Sequence, residues 1–86
     1  MELKIGRKIF MITAEDVVVC YAGKIKLMTQ NYLVKFNKVY PQLSQTLFKN
    51  LLKYDALYLV KEEGCTQWYK FNLVNLEHYL RAFNSK

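Results

Sequence analysis

The chain predicts an α+β domain ordered strand, helix, helix, helix, strand, strand, helix, on three observations. Residues 41–54, PQLSQTLFKNLLKY, sort at about 100° each into two sides. Leu43, Leu47, Phe48, Leu51, Leu52 and Tyr54 fall on one, and Gln42, Gln45, Thr46, Lys49 and Lys53 on the other. Next, ALYLVK and TQWYKFN flank Glu62-Glu63-Gly64-Cys65, the pattern of two strands joined by a turn. Last, Leu73, Leu76, Leu80 and Phe83 recur at helical spacing with Tyr79 alongside, an apolar seam on a C-terminal helix.

The remaining elements follow in order. Leu3–Ile5 and Lys8–Ile12 are rich in strand formers and broken by Gly6. Thr13-Ala14-Glu15-Asp16 has the form of a capping box, and Gly23 stands where a helix could stop, so VVVCYA between them is read as a short helix. Its three valines favour a strand, the competing reading. Ile25–Met28 is a short extended link. Thr29 caps a second helix, Gln30–Lys38, with Tyr32, Leu33 and Phe36 on one side. Pro41 suits the first turn of a third helix, Pro41–Tyr54, so two helices meet across a very short turn.

Composition narrows the classes of function. The chain has 86 residues, 52% hydrophobic and 23% charged, which fits one folded domain over residues 1–86. No stretch approaches the ~20 apolar residues of a membrane span, and the N-terminus, MELKIGRK, lacks a signal-peptide core. An intracellular, cytoplasmic location without a membrane partner is the expectation. Lys and Arg number 13 against 7 Asp and Glu, a formal net charge of +6 that favours an anionic partner.

Catalytic and metal motifs are missing from the sequence. Cys20 and Cys65 lie far apart without neighbouring ligands, and His78 is the single histidine. No Gly-rich phosphate loop or serine elbow occurs, so neither catalytic residue, metal nor cofactor is expected. Trp68 should face opposite to Tyr69 on its strand, and Phe71 reads as core. Seven Tyr and one Trp could supply a base-stacking platform, although no signature of an OB-fold or RNA-recognition motif accompanies them.

The segments LMTQNYLVKF, LSQTLFKNLLKYDALYLV and GCTQWYKF together resemble the winged helix-turn-helix superfamily, over roughly residues 12–72. Leu51, Leu52 and Leu57 match its apolar positions, whereas Ala56 stands where the family often has Gly. Glu62 and Glu63 replace the basic residues of a DNA-contacting wing. The resemblance implies an N-terminal strand, a three-helix core, a β-hairpin wing and a C-terminal helix. It makes Gln42, Gln45, Thr46, Lys49 and Lys53 the groove-facing set on the recognition helix, where Gln suits adenine and Lys suits guanine or phosphate. Lys24, Lys26, Thr29, Gln30 and Asn31 become DNA-backbone contacts, the last three at a helix N-terminus.

The C-terminal helix, residues 73–86, has two readings. Leu73, Leu76, Tyr79, Leu80 and Phe83 either pack over the domain's own core or pair with a second subunit. The expectation is thus a small transcriptional regulator that binds double-stranded DNA sequence-specifically as a homodimer, nucleoid-associated when bound. A winged-helix protein-interaction module and an RNA- or ribosome-associated basic domain are the alternatives.

Overall fold

The computed structural model describes residues 1–28 and 41–84. Its elements are β1 (Glu2–Ile5), β2 (Lys8–Met11), β3 (Val17–Tyr21), β4 (Lys24–Met28), α1 (Gln45–Lys53), β5 (Leu57–Glu63), β6 (Thr66–Phe71) and α2 (Leu73–Asn84). All strand pairs are antiparallel: β1 with β2 in a small hairpin, and a four-stranded sheet ordered β4-β3-β6-β5. The described residues are mostly sheet and carry two helices, so the expected three-helix core of a winged helix is not what this chain builds. The domain remains α+β, but the resemblance does not extend to its fold.

The helix expected after Thr13 is strand β3. Asp16 does not act as the third residue of a helical turn; its carboxylate accepts the Thr13 N–H at 2.8 Å and closes a tight turn before the strand. Val17, Val18 and Val19 then take the extended conformation their branched side chains prefer. Gly23 does not stop a helix. With Ala22 it forms a two-residue turn in which both residues have positive φ, 51° and 77°, as a tight hairpin to β4 requires. The extended link expected at Ile25–Met28 is that partner strand. The helix expected at Gln30–Lys38 lies outside the described residues.

Helix α1 begins later than Pro41. Ser44 is its N-cap, its hydroxyl accepting the Leu47 N–H at 3.1 Å. Upstream, the chain runs beside β4: Leu27 N–H donates to the Pro41 carbonyl at 2.9 Å, and Leu43 N–H donates to the Ile25 carbonyl at 2.7 Å. Proline's missing N–H costs nothing there, because only its carbonyl is used. The helix ends in a Schellman motif, with Ala56 N–H on the Leu51 carbonyl, Asp55 N–H on that of Leu52, and Asp55 at φ 58°.

The β5–β6 hairpin and α2 stand where the sequence suggested. The turn is shorter than expected, since Glu63 pairs with Thr66 and only Gly64 and Cys65 remain in it. Between Leu59 and Lys61 the register shifts, making Val60 the extra residue of a β-bulge. Asn72 caps α2 by accepting the Asn75 N–H at 3.1 Å.

The core gathers on one face of the sheet. Val18, Ile25, Leu27, Leu57 and Phe71 project there, against Leu51 of α1 and Leu76 and Tyr79 of α2. The β1–β2 hairpin adds Leu3 and Phe10, with Ile12 just beyond it. Phe48 meets Tyr69 edge-on at 5.2 Å, fixing α1 over the centre of the sheet.

Candidate nucleic-acid interface

The sequence-predicted residues divide among three places. Gln45, Thr46, Lys49 and Lys53 are exposed on α1, whose first turn contains no acidic side chain. Gln42 lies upstream of the helix, in the extended segment bridged to Lys26, so the expected five-residue helix face loses its first member. Lys24 and Lys26 sit on β4, exposed. Thr29, Gln30 and Asn31 lie outside the described residues. Of the seam on α2, Leu76 and Tyr79 are buried, Leu73 and Leu80 pack against the same core, and only Phe83 is exposed, edging Tyr54 and Tyr79. The helix thus turns most of this seam inward within one chain.

The second face of the four-stranded sheet gathers a different set. Side chains directly opposite in register share a face, and the pairings assemble rows across the sheet. Lys26 faces Val19, Val19 faces Trp68, and Trp68 faces Lys61, one row spanning all four strands. The row beside it is Met28, Val17, Lys70 and Tyr58. On the other side Lys24 faces Tyr21, and Thr66 faces Glu63. None of these side chains belongs to the core, and Tyr21 and Tyr58 are 61% and 48% exposed.

A shallow groove of about 470 Å³ runs over this face, lined by Val19, Tyr21, Lys24, Lys26, Met28, Thr66 and Trp68. The groove itself carries Lys24 and Lys26, and the whole outer face carries four ammonium groups, from Lys24, Lys26, Lys61 and Lys70, and one carboxylate, from Glu63. That carboxylate lies 3.2 Å from Lys61 Nζ and is offset by it. The same Nζ stands 4.9 Å from the centre of the Trp68 ring, a cation–π contact.

Sequence reasoning missed Tyr21, Tyr58, Lys61, Trp68 and Lys70 as a group. The signal was period-two alternation: Lys24 and Lys26 on one strand, Trp68 and Lys70 on another, each pair two residues apart. Reading β3 as a helix hid the strand that joins them.

On the core side of the sheet, a cleft of about 630 Å³ opens between α1 and the hairpin tips, with Lys24, Lys49, Gln45 and Gln67 among its lining. Glu62 reaches this region, accepting from Gln67 Nε2 at 2.8 Å. Burial is the main cause that pushes the Tyr69 phenol up, with Cys20 and Glu62 adding to it, so its hydroxyl keeps its proton and donates to Gln67 Oε1 at 3.2 Å. Burial likewise pushes up the Cys20 thiol.

Among the described residues no three His, Cys, Asp or Glu side chains gather in a metal-binding group. No described helix is long and apolar enough to cross a membrane. Comparison with known proteins finds no matching family model, curated protein or solved structure.

Proposed function

We propose that this chain binds single-stranded nucleic acid on the outer face of its four-stranded sheet. The row Lys26, Val19, Trp68 and Lys61 carries this reading, because it sets an indole and an aliphatic surface between two ammonium groups. Lysines draw the phosphate backbone and gain from counterion release. Aromatic rings exposed on a flat surface gain from stacking on bases, at about 1–3 kcal/mol per base. Bases in a duplex are stacked on each other and paired, which leaves their faces closed to such a surface; a single strand offers them. An intracellular setting, where DNA or RNA is at hand, accords with this function.

Trp68 is the only tryptophan, so its fluorescence reports directly on the face. Titration with a single-stranded oligonucleotide at about 50 mM salt should quench it saturably, and raising salt to about 200 mM should weaken binding several-fold. Absence of quenching at the lower salt would refute the proposal.

One observation favours a second reading. Gln45, Thr46, Lys49 and Lys53 are exposed on a single helix with no acid in its first turn, as the docking of α1 in a duplex groove requires. In that reading the protein is a regulator that acts by occupying double-stranded DNA. Lys49→Ala with Lys53→Ala separates the two, since it should abolish duplex binding and leave the quenching of Trp68 by single strands intact.

A further inference from the structure

The rows of the outer face each contain one aromatic ring, and each ring is displaced by one strand from the last. Tyr21 lies on β3, Trp68 on β6 in the next row, and Tyr58 on β5 in the row after that. Strands are about 4.8 Å apart and same-face residues about 6.7 Å apart along a strand, so successive rings are about 8 Å apart on a diagonal. The opposite diagonal, Met28, Val19 and Thr66, has no ring. Lysines lie on both sides of the aromatic line: Lys26 and Lys70 on one flank, Lys61 on the other, with Lys24 beyond its Tyr21 end.

Resting on the reading of this face as a single-strand surface, we infer that the bound strand crosses the sheet along Tyr21, Trp68 and Tyr58, with one base on each ring and three base positions in all. A spacing of about 8 Å exceeds twice the ~3.4 Å rise of a stacked strand, so the three bases are held apart and each meets its own ring. The flanking ammonium groups meet phosphates on either side of the line. In the free protein Lys61 covers the indole and is tethered to Glu63. The central base therefore displaces Lys61 from the ring, and its ammonium moves to a phosphate.

The test is a length series of oligo(dT) and oligo(rU), two to six nucleotides long, followed by Trp68 fluorescence on the full chain. The two arms separate the sugars, and the expectation applies to whichever binds tighter. Affinity should rise steeply up to three nucleotides and only slightly beyond. Tyr21→Leu and Tyr58→Leu should each weaken trinucleotide binding about tenfold, the scale of one ring stacked on one base. Tyr21→Phe and Tyr58→Phe should restore it, and Val17→Thr, off the diagonal, should change it less than about twofold. Because the tyrosines are exposed, circular dichroism should show all variants folded. If Trp68 is quenched but the tyrosine variants match Val17→Thr, the diagonal path is overturned and single-strand binding stands. If nothing quenches Trp68, both fall.

Discussion

The two faces of the four-stranded sheet are built from the same strands and separated only by alternation. From the inner face Val18, Leu27 and Phe71 are driven against two helices, and each is at most 2% exposed. From the outer face Val19, Lys26 and Lys70 point the other way, one residue from those three. The inner face is apolar throughout its covered part, whereas the outer one interleaves cations with rings. A face that served only to stay soluble would need charge but not Trp68, Tyr21 and Tyr58. The combination of rings with cations is what the proposed binding of single strands rests on.

The largest break in this comparison should come from Leu51→Ala. Its side chain is fully buried under the sheet, so truncation should cost about 2–5 kcal/mol in chemical denaturation, whereas Val17→Ala on the outer face should cost under about 1 kcal/mol. Similar costs at both positions would mean that the outer face is packed, not open.

Sharpening comes next from Lys26→Ala and Lys70→Ala. Neither should alter the denaturation midpoint much. Each should weaken single-strand binding a few-fold and reduce the slope of log affinity against log salt by about 0.7, the share of one neutralised phosphate on a single strand. An unchanged slope would remove these lysines from the interface.

The smallest effect concerns the thiols. Cys65 is exposed in the hairpin turn, while Cys20 is partly buried on the inner side of β3. Burial raises the Cys20 pKa, so at a given pH it holds less thiolate than an ordinary cysteine, and its reaction needs more alkaline conditions. Thiol titration near neutral pH should label Cys65 first. Equal rates would mean that the inner face at the hairpin tips is more open than its packing suggests.

Local patterns were legible where local chemistry decides. Gly64 between two strand-forming runs marked the β5–β6 hairpin, and Leu73, Leu76 and Leu80 marked α2. Between Thr13 and Gly23 two local signals conflicted, and three branched valines outweighed a capping pattern whose aspartate closes a turn instead. At α1 the proline drew the boundary too early, because Ser44 offers a better cap and β4 takes up the residues before it. The candidate site was the least legible part. Val19 and Trp68 are neighbours in the sheet but 49 positions apart in the chain, and no local window reports such a pairing. The exposed face of α1 could be read locally; the lysine and aromatic rows could not.

The bulge at Val60 decides which part of KEE joins those rows. If the same residues ran without a bulge, strict alternation from Tyr58 would send Val60 and Glu62 outward and turn Lys61 toward the helices. The phase shift instead sets an ammonium beside the indole and leaves Glu62 on the far side, next to Gln67. The electrostatic character of this corner is therefore set by where the ladder admits an unpaired residue as much as by residue identity. Loss of Val60 itself would restore a regular ladder and still leave Lys61 opposite Trp68.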